Sequence, residues 1–313
     1  MGDVKITTDE NKLGIFIENI NTYTELEQLL EKSSRETIKN RKFIHQVWFP
    51  IKQKEIFDCW KESPKEWKRY HPNWIYILWN KELSKDFIKH KEPSFLETWE
   101  NFKYEIQRID AIRHVFLKHL GGIYSDLDVV PLESMDKYFK AKLDYFVPSA
   151  NVSKYYTNAI MASFAPVKDT RSIWDDCLTK MKKNTKWWAI GKHLTVMTTT
   201  GPMMLSEVLK KTPKSFCRLS TKFMPNTVSE VNAGTNKITE EHIIKMLPGS
   251  SWCSWDTKLF IALYENKNTL IILFIIILVI IIIVIIHIIY RYFKYKKIIC
   301  ENKKLAKDNN MNC

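Results

Sequence analysis

The 313-residue sequence holds six cysteines, and no two of them form a recognisable pattern. Cys59, Cys177, Cys217, Cys253, Cys300 and Cys313 are widely spread, with no C-x2-C pair. That spacing excludes the common zinc modules, and a chain this long and this poor in cysteine is no disulfide scaffold. A reducing compartment fits such usage best, with one or two disulfides left open. The opening MGDVKITTDENKLGIF has no apolar core of signal-peptide type. Ile6 stands where the myristoylation pattern needs Ser or Thr. The net charge of +13 comes without an RNP-like segment or any other nucleic-acid motif. The basic balance therefore argues for no nucleic-acid partner, while permitting attraction to anionic lipid or nucleotide phosphates. Internal repeats and long linkers are also missing.

What is present is a chain able to bury a core, 45% hydrophobic and 13% aromatic. Its most distinctive run is TLIILFIIILVIIIIVIIHIIY, residues 269–290. Twenty-two residues without a full charge reach roughly 33 Å as a helix, enough to cross a bilayer. Isoleucine favours strand in water, but in lipid the backbone must satisfy itself, and helix wins. The tail 291–313 carries seven Lys/Arg against Glu301 and Asp308. The positive-inside rule would place it in the cytoplasm. The missing signal core points instead to a tail anchor with the large domain cytosolic, so orientation stays open. Cys300, just past the helix, is either a palmitoylation site or an ordinary thiol.

The rest reads as alternating elements. Residues 1–40 form a partly helical extension, with Thr24 and Glu27 in capping-box spacing. KFIHQVWFP (42–50) reads as a strand closed by Pro50, a helix is predicted over 52–68, and HPNW turns into the strand WIYILWN. KEP at 91–93 interrupts the chain. YEIQRIDAIRHVFLKHL (104–120) has Ile109, Ile112, Phe116 and Leu120 at helical spacing, and Gly121 and Gly122 stop it. GIYSDLDVV then reads as a strand. Farther on, DYFVPS and NAIMASF read as strands, IWDDCLTKMKK as a helix and TGPMMLSEVLKK as a turn into a helix. This alternation predicts an α/β sandwich with a mostly parallel sheet.

Asp126 and Asp128 interrupt the apolar run GGIYSDLDVVPL. On a strand, residues i and i+2 share a side, so both carboxylates would approach one cation. In open α/β sheets ligands bind at the carboxyl ends of strands, where these two lie. Paired carboxylates suit Mg²⁺ or Mn²⁺, and such an ion neutralises a diphosphate leaving group. D-x-D triplets are also common on solvated loops, so the pair alone is weak evidence. Asp110 and Arg113, spaced i, i+3 on the preceding helix, read either as a surface ion pair or as a helix face bordering the same cleft.

Together, IDAIRH, GGIYSDLDVVPL, IHQVW and HPNWIYILWN resemble glycosyltransferase family 32, the D-x-D sugar transferases. That family includes initiating mannosyltransferases and the catalytic subunits of inositol-phosphoceramide mannosyltransferases, and the glucosylating domains of clostridial toxins have a similar core. The resemblance covers residues 43–133 well, thins over 134–256 to TGP (200–202) and SWCSW (251–255), and leaves out 1–40 and the apolar helix. It implies a GT-A-like α/β fold and a Mn²⁺- or Mg²⁺-dependent hexosyltransferase that retains anomeric configuration. By position it implies Trp48 stacking on the nucleotide base, Asp110 and Arg113 holding the donor sugar, Asp126 on ribose and sugar, and Asp128 on the metal. Ser254 and Trp255, or Ser251 and Trp252, would close over the diphosphate. Asn158 either reaches the sugar or serves a strand-end turn, and His45 reads as a satisfied buried histidine. Three positions depart from the family pattern: Ile109 replaces Ser, His114 replaces an aromatic, and no His precedes the late Ser-Trp at the usual spacing. The third protein ligand to the metal is left open by that last departure.

The domain layout expected is an N-terminal extension (1–40), a GT-A-like transferase domain (41–262), a transmembrane helix (269–290) and a basic tail (291–313). A membrane helix so close to Trp255 favours a sphingolipid-like lipid, or a glycan or glycoprotein in the same membrane, as acceptor of sugar from a UDP- or GDP-linked donor. Two other readings stand beside it: a catalytically degenerate, membrane-bound sugar-binding module, and a metal-dependent hydrolase or nuclease.

Overall fold

The computed structural model describes residues 15–33, 35–50, 55–149, 155–165, 171–184, 191–212, 216–224, 228–232, 234–235, 238–249, 255–257, 259, 262 and 266–309. The chain divides into two compact units, residues 1–254 and 255–313.

A seven-stranded sheet organises the first unit. Its strands are β1 (Ile15–Ile17), β2 (Phe43–Val47), β3 (Ile75–Trp79), β4 (Gly122–Ser125), β6 (Asp144–Pro148), β7 (Tyr156–Ser163) and β8 (Phe216–Arg218), in the order β1-β3-β2-β4-β7-β6-β8. β1, β3, β2 and β4 run parallel. β7 is antiparallel to both β4 and β6, and β8 is parallel to β6. The expected α/β fold with a mostly parallel sheet is present. β5 (Val129–Pro131) and β9 (Ile244–Met246) form a separate antiparallel pair.

Both faces of the sheet are covered, which is why β3 reads as a continuous apolar run and β2, FIHQV, is buried along its whole length. Phe43, Val47, Ile75, Ile77, Trp79 and Tyr124 enter one core, and Ile44, Tyr76, Ile123 and Tyr145 enter the other. The helices are α1 (Tyr23–Glu31), α2 (Arg35–Lys39), α3 (Glu62–Tyr70), α4 (Lys81–Lys91), α5 (Pro93–Glu100), α6 (Glu105–His119), α7 (Ile173–Asn184), α8 (Lys192–Thr199), α9 (Pro202–Lys211) and α10 (Val228–Asn232).

Two helix starts differ from the expectation. α1 is capped by Thr22 and Glu25, not Thr24 and Glu27: Thr22 Oγ1 accepts from Glu25 N at 3.3 Å, and Glu25 Oε2 accepts from Thr22 N at 3.0 Å. NTYTELEQ holds two overlapping T-x-x-E patterns, and the upstream one prevails because Tyr23 N donates to Asp86 on α4 at 2.8 Å. The helix predicted over 52–68 begins only at Glu62. Pro64 would lie inside the longer helix, whereas here it sits in the first turn, where a missing N–H costs nothing.

α6 is the central helix, with residues buried on all sides, including Asp110, Arg113 and His114. Its end is clamped. Gly121 and Gly122 have φ of 74° and 84°. A Cβ would lie 1.8 Å from Arg41 Nε at the first and 2.3 Å from the Phe43 carbonyl at the second. Only glycine fits there. Arg41 fills the space, donating to the carbonyls of Leu117 (3.0 Å), Lys118 (3.2 Å), Leu120 (3.1 Å) and Ala165. A cation on the last carbonyls also complements the helix dipole. His45 is satisfied as expected: its ring nitrogens meet the Gly121 carbonyl at 2.8 Å and Trp79 Nε1 at 3.1 Å.

In the second unit the dominant element is α11 (Lys267–Asn309), 43 residues long. It contains a candidate membrane span, Ile271–Tyr292, with mean hydropathy 3.9. The helix runs on through the basic residues after 290 to Asn309.

His114 supplies a test of the core. Neither ring nitrogen has a hydrogen-bond partner among the described residues. Burial, and then the Arg113 charge, push its pKa down to about 3. The unfolded chain takes up this proton near the ordinary value of 6.5. Between pH 6.5 and 3 the unfolded state thus binds the extra proton, and stability falls as pH drops. His114→Phe should keep the ring contact with Trp174, stabilise the fold by about 1 kcal/mol or more and flatten this acid limb. Thermal unfolding between pH 4 and 7 reads both effects, and an unchanged slope would refute the account.

Candidate active site

Asp126 and Asp128 do not lie on a strand. β4 ends at Ser125, and Asp126–Val129 forms a turn closed by Val129 N donating to the Asp126 carbonyl at 3.1 Å. The apolar alternation through Leu127, Val129 and Val130 hides this break, because the chain leaves one sheet and joins another without a polar stretch. The break falls beside the place where the sheet changes from parallel pairing (β2 with β4) to antiparallel pairing (β4 with β7).

The turn's backbone is held by groups distant in sequence. Asp126 N donates to the Ala159 carbonyl at 2.8 Å, and Leu247 N donates to the Asp128 carbonyl at 2.7 Å. Gln46 Nε2 donates to the Asp126 carbonyl at 3.1 Å, while Gln46 Oε1 accepts from Tyr76 OH at 2.8 Å. The Val129 carbonyl accepts from Ser63 Oγ at 2.6 Å and Trp67 Nε1 at 3.1 Å. Gln46, Ser63, Trp67 and Tyr76 are all buried, so these bonds form where water does not compete.

Side chains of the turn meet α6 through Arg113. Its guanidinium is 2.7 Å from Asp110 Oδ1 and 3.3 Å from Asp126 Oδ1, and it donates to the Asn158 carbonyl at 2.6 Å. It also lies 4.4 Å from the Tyr124 ring centroid. With 2% and 7% of their side chains exposed, Arg113 and Asp110 are no surface ion pair, and α6 presents no free outer face. Asp126 keeps 30% exposure and is the more open carboxylate. Tyr124 OH donates to Asp126 Oδ1 at 2.6 Å. Asn158, inside β7 and not at a strand-end turn, donates from Nδ2 to Asp110 Oδ1 at 3.2 Å. Thr200 Oγ1 donates to Asp110 Oδ2 at 3.2 Å.

Burial raises all three carboxylic acids. Asp110 is lifted to about 6 by burial and restrained by Arg113. Asp126 is raised by burial against the pull of Arg113 and Tyr124. Asp128 reaches about 7 through burial and then the Asp126 charge. Burial works against the Arg113 charge, but Asp126, Tyr124 and Asp110 hold it protonated, above the ordinary guanidinium value. Among the described residues the site thus has one cation for three acids, with Asp128 farthest from compensation.

Asp128 Oδ1 is buried and has no hydrogen-bond partner among the described residues. Such an atom beside a second carboxylate is what a hard divalent cation takes up, so Asp126 and Asp128 fit the expected Mn²⁺ or Mg²⁺. No group of three His, Cys, Asp or Glu side chains suited to a metal occurs among the described residues.

Trp48 is partly buried at the turn's other side. It packs in a cluster with Trp60, Leu127, Val130 and Leu247, Leu127 being the residue between the two aspartates. Its ring meets those of Phe57 and Trp60 edge-on at 5.8 and 6.2 Å. Ser254, like Ser251 and Trp252, lies outside the described residues. Trp255 is 75% exposed and belongs to the second unit.

The sequence reading missed Tyr124, Thr200 and Gln46 as site residues. Tyr124 was findable, since it stands two residues before Asp126. Thr200 opens the TGP triplet, which marked the place without a role. Gln46 gave no signal.

A double-mutant cycle tests the buried pair. Arg113→Met strands two carboxylates and should destabilise the protein by about 3–5 kcal/mol. Adding Asp110→Asn should restore part of that loss. Strictly additive effects in denaturant titrations would show that the two groups do not interact.

Residues 58–145 match the family described as "Glycosyltransferase sugar-binding region containing DXD motif". The chain is 33% identical over 229 residues to mannosyl phosphorylinositol ceramide synthase SUR1 of Saccharomyces cerevisiae, covering 71% of this chain and 54% of that protein. It is 27% identical over 232 residues to inositol phosphoceramide mannosyltransferase 1 of Schizosaccharomyces pombe, covering 73% and 67%. The chain spans a little over half the length of the Saccharomyces relative. Among solved structures it is similar to PaToxG glycosyltransferase, with 13% identity, a TM-score of 0.41, and 70% of this chain and 90% of that one covered. Over residues 58–145 the chain thus carries the D-x-D sugar-binding region of the glycosyltransferases, and its likeness to the two yeast proteins extends over 71–73% of its length.

Proposed function

We propose that this protein is a membrane-attached, metal-dependent hexosyltransferase that moves a sugar from a UDP- or GDP-linked donor to a lipid or glycan acceptor. The observation that carries the reading is the buried guanidinium of Arg113, set between Asp110 and Asp126 beside an oxygen of Asp128 that has no partner among the described residues. Asp126 and Asp128 would hold Mn²⁺ or Mg²⁺, and the bound ion would offset charge on a departing nucleoside diphosphate.

The chain's own groups supply positioning. Asp110 and Arg113 are fixed by Asn158 and Thr200 before any ligand arrives, so little ordering is needed at the moment of reaction. Tyr124 occupies Asp126 Oδ1. Oδ2 of Asp126 is then the oxygen left for a ribose or sugar hydroxyl, or for the metal. Trp48, backed by Phe57 and Trp60, offers an aromatic wall for the nucleobase. Retention of anomeric configuration and closure by Ser254 and Trp255 follow from the family resemblance, and both belong to this proposal.

The apolar span Ile271–Tyr292 supports attachment to a bilayer and a lipid acceptor. The relatives' names point to inositol phosphoceramide as the acceptor to try first. The chain spans only part of these relatives' length, so donor and acceptor are both read out by experiment.

The 313-residue chain in detergent should release one nucleoside diphosphate from its UDP- or GDP-sugar when Mn²⁺ is present and lose that activity with chelator. Asp128→Asn should cut turnover by about 10²-fold or more while the protein stays folded. Undiminished turnover in Asp128→Asn would disprove the metal role. Donor binding without any turnover would favour the binding-module reading. In proteoliposomes, alkaline carbonate should leave the chain with the bilayer, and its release into the wash would rule out a spanning helix.

A further inference from the structure

We propose that Thr200 is a positioning residue of the donor-sugar site: its hydroxyl fixes the rotation of the Asp110 carboxylate, and so the set of polar groups that Asp110 and Arg113 present to the sugar. The inference rests on the transferase reading above and deepens it by assigning one hydroxyl its own share of the positioning.

Asp110 is held from three directions. Arg113 and Asn158 both act on Oδ1, at 2.7 and 3.2 Å. Among the described residues only Thr200 Oγ1 acts on Oδ2, at 3.2 Å. Two donors on one oxygen fix that atom's place but leave the carboxylate free to swing about it. The third bond, on the other oxygen, removes that freedom. It also spends only one lone pair of Oδ2, so that atom keeps capacity for a sugar hydroxyl while Oδ1 is filled.

Thr200 itself is fully buried. Its hydroxyl has a competing acceptor, the Val196 carbonyl at 3.5 Å, and the charged, nearer carboxylate is the stronger one. The neighbouring residue is also tied to α6. Gln107 Nε2 donates to Thr199 Oγ1 at 2.7 Å, and Gln107 Oε1 accepts from Tyr104 N at 3.0 Å at the start of that helix. The end of α8 is thereby pinned one turn from Asp110, which keeps Thr200 in reach. Arg113 also reaches Asp126 of the D-x-D turn at 3.3 Å, but among the described residues the Thr200 hydroxyl itself bonds only to Asp110 and Val196. Loss of the hydroxyl should therefore be felt by the sugar and not by the nucleotide.

That separation supplies the test. Wild type, Thr200→Val and Thr200→Ser, as 313-residue chains in detergent, are compared with the UDP- or GDP-sugar that wild type binds and with its nucleoside diphosphate. Thr200→Val keeps the shape and removes the hydroxyl. It should weaken donor-sugar KM or Kd about tenfold, the worth of one hydrogen bond to a charged group. Inhibition by the nucleoside diphosphate should be unchanged, and Thr200→Ser should restore the wild-type donor constant. Three results would overturn the proposal: an unchanged donor constant in Thr200→Val, a parallel loss for donor and diphosphate, or no rescue by serine. A wild-type chain that binds no nucleotide sugar at all would instead remove the transferase reading, and the role of Thr200 with it.

Discussion

One guanidinium organises this structure. Arg113 is buried, and it is the only cation shown against Asp110 and Asp126 among the described residues. An ion pair in such surroundings gains less than its Coulomb energy suggests, since both partners lose water. The fold tolerates it because every other direction is also satisfied: the Asn158 carbonyl, the Ile109 carbonyl and the face of Tyr124 complete the shell. Such a network is a poor way to gain stability and a good way to keep a few polar groups in one arrangement. That bias toward order over stability is expected of a site that binds a polyhydroxyl ligand.

The surrounding architecture follows from where Arg113 must sit. α6 has to be buried on all sides, so it is sheathed by the sheet and by α4, α5, α7 and α8. Its end has to stop at a fixed point, so two glycines and the Arg41 side chain set its length. The turn with Asp126 and Asp128 has to leave the sheet at once, so β4 is short and its successor pairs elsewhere. Asp128 is then left with less compensation than any other acid in the site, which is the chemical reason a cation fits there.

Much of this could be read from residues alone, and the failures have a common cause. The spacing of Ile109, Ile112 and Phe116, the glycine pair and the D-x-D triplet are local signals, and each marks a real feature. The end of β4 at Ser125 is not local. It depends on β9, more than a hundred residues later, taking Val129–Pro131 as a partner. Asn158 and Thr200 become site residues only because β7 and the end of α8 pack against α6. Trp48 could not be told from ten other tryptophans until the fold set it against Leu127. The start of α3 was legible in principle, since Pro64 forbids the longer helix.

The bond from Leu247 to Asp128 has a consequence for how the protein is made. It joins residues 119 positions apart, and β9 is the last strand of the first unit. A chain emerging from its N-terminus can build α6, β4 and most of the sheet well before this contact exists. The pairing of β5 must wait, and loop closure of that length is slow to be rewarded. The D-x-D turn therefore completes last, and a nascent chain stays without a finished site until nearly all of the first unit has been synthesised. A closed D-x-D turn then reports that the chain has been made at least as far as Leu247.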